Sequence, residues 1–449
     1  MQRIRIEKLG PVNSFESDIS QYMFLIGEQA SGKSTIAKGI YFCRNYKTVL
    51  REALYDVYNT GMYKGTEIRR SADLRQLIRN EIKSQFIEFF GYSWDLDRNM
   101  ILEYEFVPDD IWIRISLENR RGYINLTYSQ KLSKQINLLI SEVINLYHNK
   151  YITRESVNLN SKERIRVQNI IKEEINKIFL DYEETYYLPA GRSMLALLSR
   201  GDLSSMRSSL DYVTCQFLDV INSIRRYFMD GINDISEWMH VKIEDKNLGI
   251  SRWIQDILKA NYYNALDREY IKIKQKNGKN FDIPLNFASS GQQESLWLLN
   301  LLYVLLLRNE QGFIIIEEPE AHLYPTRQYN LIKFIAYFAN ETGSNVLITT
   351  HSPYCLTSLN TLYIAGTPDL NCTEQKKKEV CKILGGNFVV DKNSLKVYKM
   401  LVDGAIISLI SEEEGEIRTE LIDEVSQEIL SDYLKISDLL LNISKEMEN

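Results

Sequence analysis

The chain has 449 residues, 44% hydrophobic and 25% charged, with a formal net charge of −6 and an isoelectric point near 5.6. That length leaves room for two or three domain-sized units of an ordinary globular kind, and the acidic balance gives no general attraction for nucleic acid. The longest apolar stretch, Leu296 to Leu307, contains Asn300 and Tyr303 and is too short for a bilayer. The five cysteines form no C-x-x-C pair, the four histidines are scattered, and Met1 opens no secretory signal. A disulfide framework and a structural zinc site are therefore disfavoured, and a reducing cytoplasm is the expected setting.

Short strands are predicted over Arg3–Glu7 and Ser14–Asp18, followed by the apolar strand Tyr22–Ile26. Directly after it stands Gly27-Glu28-Gln29-Ala30-Ser31-Gly32-Lys33-Ser34-Thr35, a G-x-x-x-x-G-K-S loop in the context that such a loop requires. Two glycines let backbone N–H groups turn inward around a triphosphate, Lys33 reaches the β- and γ-phosphates, and the Ser34 hydroxyl suits Mg²⁺. A helix from Lys33 to about Phe42 aims its positive end at the same anions. ATP or GTP is the expected ligand.

From about Leu50 to Glu184 the pattern changes. A helix over Ser71–Phe89 carries Arg75, Arg79 and Lys83 on one face, which reads as a solvated face or as a surface for nucleic-acid phosphates. Met100–Val107, Ile111–Leu117 and Tyr123–Tyr128 alternate as an antiparallel meander. Two helices follow, striped by Leu132, Ile136, Leu139, Val143 and Tyr147 and by Val167, Ile171, Ile175 and Ile178. Asp95-Leu96-Asp97 reads as a loop or helix cap.

Thr185–Leu188 is a predicted strand running into a Pro189-Ala190-Gly191 turn, and a helical stretch then extends to about Lys259. An Asn277-Gly278 turn joins the hairpin Tyr270–Lys274 and Asn280–Ile283. Ser290 and Gln293 have capping-box spacing before the apolar helix Ser295–Leu307. Then Phe313–Ile316 forms an all-apolar strand ending in Glu317 and Glu318, as a sheet buried on both faces demands. Carboxylates at the carboxyl end of such a strand face the ligand crevice, where one can hold Mg²⁺ and the next can orient a water. A helix over Thr326–Thr342 and a strand over Val346–Thr349 bring His351 to the same edge, a place for sensing the γ-phosphate.

In this order the phosphate loop, S-S-G-Q-Q-E, I-I-I-E-E-P-E-A-H and T-T-H-S-P resemble the ABC-type ATPase heads of the SMC, RecF and OLD families. The resemblance implies an α/β P-loop fold with an inserted antiparallel-β plus helical lobe and a helical C-terminal tail. It divides the chain into 1–49, 50–184, 185–360 and 361–449. It makes Glu318 and His351 catalytic and Gly27, Gln29, Ala30, Ser31, Gly32, Lys33, Ser34 and Thr35 the ATP loop, with Ser34 and Glu317 at Mg²⁺. Ala321-His322-Leu323 becomes the D-loop, and Ser290, Gly291 and Gln292 a signature that caps ATP on a second head. Tyr187–Arg192 is where a Q-loop would fall.

The segment Tyr187–Arg192 and the layout as a whole look most like the compact ATPase subunits of Septu and PARIS anti-phage systems. The tail from Asn360 has neither D-x-D nor histidine, so any nuclease chemistry belongs to another chain. The expected function is an ATP-driven switch, a homodimer of heads or a higher oligomer, that controls an effector such as a nuclease. A DNA-repair clamp and a nucleotide-gated scaffold with little turnover are the alternatives. Apolar positions recurring between Thr419 and Met447 suggest a helix for core packing or partner docking.

Overall fold

The computed structural model describes residues 2–91, 96–118, 123–152, 161–198, 207, 209–233, 235, 239, 245–265, 268–274, 278–386, 388–411, 415–418 and 431–435. Strands β1 (Arg3–Leu9), β2 (Val12–Asp18) and β3 (Tyr22–Gly27) lead into helix α1 (Lys33–Thr60). After the small ribbon β4 (Met62–Tyr63) and β5 (Thr66–Glu67) come α2 (Ser71–Phe90) and the meander β6 (Ile101–Val107), β7 (Ile111–Glu118) and β8 (Tyr123–Tyr128). Helices α3 (Gln130–Ile152) and α4 (Ser161–Phe179) precede β9 (Glu184–Leu188). Then follow α5 (Leu195–Leu198), α6 (Tyr212–Arg225), α7 (Asp245–Leu258), β10 (Asn261–Ala265), β11 (Arg268–Lys274) and β12 (Asn280–Pro284). The remaining major elements are α8 (Ser290–Arg308), β13 (Gly312–Glu317), α9 (Pro325–Thr342), β14 (Asn345–Thr350), α10 (Pro353–Ala365), β15 (Leu395–Met400) and β16 (Ile406–Ser408).

The central sheet runs β16-β15-β3-β14-β13-β9, parallel except for β16. Its strands are apolar throughout because both faces are covered, and successive residues serve two different cores. Phe24, Ile26, Ile314, Ile316 and Ile348 pack with α6 to α10, whereas Met23, Leu25, Phe313, Ile315 and Leu347 pack with α1 to α4. A one-residue slip would exchange the two sets and bury each against the wrong helices.

Three expectations differ from what is observed. Helix α1 does not stop near Phe42 but continues as one rod through 49/50 to Gly61, whose left-handed backbone ends it. The meander, expected within the inserted stretch 50–184, also takes in the N-terminal hairpin, because β6 pairs with β1 to give the order β2-β1-β6-β7-β8. Within 361–449, β15 lies beside β3 in the central sheet, so this stretch holds strand as well as helix. Of the helix expected over Thr419–Met447, only residues 431–435 are described, and they are helical. Asp95 and Asn277 lie outside the described residues, while Asp97 accepts the Asn99 N–H in a turn.

The basic face of α2 is partly consumed inside the molecule. Arg75 donates to Asn137 at 2.7 Å and Arg79 lies over the Tyr128 ring, while Leu74, Ile78, Ile82 and Phe86 are buried. Among the described residues no helix is long and apolar enough to cross a membrane.

Candidate active site

Parallel pairing aligns the carboxyl ends of β3, β14 and β13, with Glu317 opposite Thr349 and Thr350 opposite Ile26. The sheet thereby brings the phosphate loop, His351 and Glu317–Glu318 to one edge. In the loop Gly27, Ala30 and Gly32 adopt φ of +156°, +60° and +98°. A Cβ on Gly27 would stand 2.3 Å from the Met400 carbonyl oxygen, and one on Gly32 would stand 2.8 Å from Val12, so both positions demand glycine. Ser31 is buried and its hydroxyl donates to the Glu28 carbonyl at 2.9 Å; Gln29, Ala30 and Ser34 are exposed and Thr35 is half-buried.

Lys33 Nζ donates to the carbonyls of Gly27 and Glu28 at 2.9 and 2.6 Å, and Nζ also lies 3.5 Å from His351 Nδ1. Burial pulls this ammonium down, against the opposing pull of Glu318, Glu320 and Glu317. His351 Nε2 stands 3.1 Å from Glu318 Oε1. An ammonium only donates, so Nδ1 is the acceptor in its contact with Lys33, and the other ring nitrogen faces the carboxylate.

Glu318 sits at φ +42°, a region that costs a non-glycine residue about 1–3 kcal/mol. Its N–H is held by the Thr349 carbonyl at 2.9 Å. Glu317 accepts the Ala190 N–H on Oε2 at 3.2 Å, and its Oε1 is buried with no donor at hydrogen-bond geometry. Burial and the adjoining Glu317 push the Tyr187 hydroxyl well above its ordinary value.

Those residues fit a divalent cation. Among the described residues no cluster of three His, Cys, Asp or Glu side chains could cage a metal. Mg²⁺, however, is typically bound by one or two carboxylates together with substrate phosphates and water. The unpartnered Glu317 Oε1 would supply the first of these.

The S-S-G-Q-Q-E segment opens α8, but the N-cap is Ser289 with Gln292 as its box partner, one residue earlier than the Ser290–Gln293 reading. Gly291 is pressed on the turn at 321–323, for a Cβ there would meet the His322 carbonyl oxygen at 2.6 Å. Beside it lies a cavity of about 240 Å³ lined by Ser289, Gly291, Gln292, His322, Tyr324 and Arg327. Among the described residues no hydrogen bond or ion pair joins Ser290, Gly291 or Gln292 to residues 27–35.

Three residues that the motifs did not single out for a role complete the edge. Glu320 accepts the Thr350 hydroxyl and the His351 N–H, leaving Oε2 buried and unpartnered. Arg192, fully buried, donates to the carbonyls of Glu317 and Glu318, and its own N–H donates to Glu294 of α8 at 2.9 Å. All three lie inside runs already quoted, Glu320 in I-I-I-E-E-P-E-A-H, Glu294 in S-S-G-Q-Q-E and Arg192 at the end of Tyr187–Arg192, but nothing in their local sequence marked these contacts.

A glycine loop at the end of β3, a helix N-terminus behind it, a histidine after the neighbouring strand β14 and carboxylates at the end of β13 beyond it define a P-loop ATPase of ABC type. Residues 1–356 match the AAA ATPase domain, and the chain belongs to that family, whose activity is ATP hydrolysis. No curated protein matches it. Similar solved structures include the SmcHead bound to the C-winged helix domain of ScpA, at 12% identity over 92% of this chain and 98% of that one, TM-score 0.43. The SMC head domain from Thermotoga maritima matches at 13% identity over 90% and 97%, TM-score 0.35. The Smc head domain with an extended coiled coil bound to the C-terminal domain of ScpA derived from Pyrococcus furiosus matches at 13% over 95% and 100%, TM-score 0.36.

Proposed function

We propose that this ATPase is a two-head switch, with Glu318 as the catalytic base and His351 as its γ-phosphate sensor. The contact series from Lys33 through His351 to Glu318 carries this reading, because it joins a phosphate ligand to a base through one titratable ring. Gly27–Thr35 cradle the phosphates, and Ser34 with Glu317 hold Mg²⁺, which neutralises charge on the transferred phosphoryl group when bound. Glu318 takes the proton of the attacking water, and Lys33 leaves the loop carbonyls for the phosphate oxygens.

Ser290, Gly291 and Gln292 engage ATP on a second copy, which accounts for their separation from this chain's own loop. Hydrolysis then reopens the heads and signals to a separate effector, a nuclease in the anti-phage setting that the layout suggests, with residues 361–449 as its docking region in the cytoplasm. The internal contacts of Arg75 and Arg79 weigh against a DNA clamp built on α2.

In Glu318→Gln, ATP should still bind while turnover falls at least about a hundredfold. Light scattering with ATP should show a doubled mass for that variant and none for Ser290→Arg, whose side chain blocks closure. Wild-type turnover in Glu318→Gln would remove the base from the mechanism, and equal masses would remove the shared site.

A further inference from the structure

We infer that Arg192 is a positioning residue for hydrolysis, the member that fixes the backbone of Glu317 and Glu318 to the first turn of α8. The inference rests on the roles proposed above for Glu318 and for the signature, and adds how the two communicate.

The guanidinium is wholly buried, and four of its N–H directions are spent on backbone carbonyls. Nε donates to Glu294 at 2.8 Å, Nη1 to Pro189 at 2.8 Å and to Glu317 at 2.7 Å, and Nη2 to Glu318 at 3.0 Å. In return, the Glu294 carboxylate accepts the N–H groups of Arg192 and Ser193, both at 2.9 Å. Glu294 follows Gly291 by three residues, within one turn of α8. One planar fork therefore spans the Pro189 turn, both ends of the carboxylate pair and the signature helix.

The geometry matters most at Glu318, whose left-handed backbone persists only where its surroundings over-determine it. The Thr349 carbonyl holds its N–H, and its C=O accepts from Arg192 at 3.0 Å and from the Ala321 N–H of the following turn at 3.1 Å. With both sides of the residue anchored, the side chain is held toward His351. A shift of the α8 start, the part that meets a second head's ATP, moves the anchor at Glu294 and with it the Glu318 carbonyl. The same turn is also pinned on its other side, where Gly291 meets the His322 carbonyl.

Arg192→Lys keeps the buried positive charge beside Glu294 but offers three donors from a single point, which cannot span carbonyls on three segments. A merely structural arginine loses stability on that change but leaves the kcat of the folded protein intact; a positioning one loses kcat as well. The full chain with Arg192→Lys should lose stability, because carbonyls that the fork spanned are left buried without a donor, yet the folded protein should bind mant-ATP within about threefold of wild type, because no hydrogen bond links Arg192 to residues 27–35 among the described residues. Its kcat should fall at least about tenfold, the scale expected of a small misplacement at a reacting centre.

Unchanged kcat in folded Arg192→Lys, or a parallel loss of mant-ATP affinity, overturns the inference. Glu294→Asp, which withdraws the carboxylate by one methylene, should give the same split and decides the matter where the lysine variant does not fold. If neither folds, the pair is framework and the inference falls. The two readings remain separable: turnover retained in Glu318→Gln sinks the proposed mechanism, whereas an inactive Glu318→Gln beside a fully active Arg192→Lys sinks only the positioning role.

Discussion

The two ends of the central sheet carry charged clusters of opposite character. At the amino end Arg44 of α1 donates to Thr185, Tyr104, Gln2, Asp181 and Glu183 and covers the Phe313 ring at 4.2 Å. Lys47 meets Asp181 at 2.6 Å, and Glu183 also accepts from Gln311 and Asn345. Every charge there has its partner. At the carboxyl end Glu317 Oε1 and Glu320 Oε2 are buried and bare, and Glu318 stands in a disfavoured backbone region. A saturated cluster holds strands and helices together; an unsaturated one keeps acceptor sites for something the chain does not itself contain.

The contrast is broken most severely by Arg44→Met. Asp181 and Glu183 then face each other inside the protein without their shared cation, a loss of about 3–5 kcal/mol that urea denaturation should register. ATP turnover per folded molecule should remain, since the damage is at the far edge. A change below about 1 kcal/mol would mean that the amino-end network is not the framework described.

Acid probes the same end. Burial alone would raise the Glu184 carboxyl, but Arg51 and Lys172 outweigh it and hold it at about 2, down from 4.5. A depressed value in the folded state means stability that is present above about 4.5 and lost as pH falls toward 2. Glu183 is pushed upward by burial and has the opposite sign, so the difference between wild type and Glu184→Gln isolates Glu184. Melting temperatures from pH 6 to 2 should decline less steeply in Glu184→Gln; parallel curves would cancel the assignment.

Glu317→Gln should disturb the fold least. Its carboxylate is held by one backbone N–H that an amide oxygen can still accept, so the melting temperature should change by no more than about 1 kcal/mol allows. Mg²⁺ dependence of ATP binding should weaken all the same. A destabilisation as large as that of Arg44→Met would erase the distinction between the two edges.

Local chemistry made the carboxyl edge readable in the sequence. Gly27–Thr35, the run Phe313–Glu318 and Thr350-His351 each declare themselves within a few residues, because turn geometry and double-sided burial are short-range demands. The amino edge was silent. Nothing near Arg44 signals that it meets Gln2, Tyr104 and Asp181, which come from three distant segments. Pairing of β1 with β6 and of β15 with β3 is equally non-local, so neither pairing was legible and the tail read as helix alone. The capping box slipped by one residue because Ser289/Gln292 and Ser290/Gln293 satisfy the same spacing.

The placement of β3 bears on how the protein is made. Both of its neighbours in the sheet, β14 and β15, leave the ribosome long after it, and the Met400 carbonyl that closes over Gly27 is among the later arrivals. Until then an apolar strand waits with two unpaired edges, the kind of intermediate that associates wrongly at cellular concentrations. A product released before residue 395 would carry the whole phosphate-loop sequence yet lack the strand that floors it. The completed β3 contacts α1 residues on one face, Met23 and Leu25 packing with Ile36 and Ile40, so part of its apolar surface has a partner that is made early in synthesis.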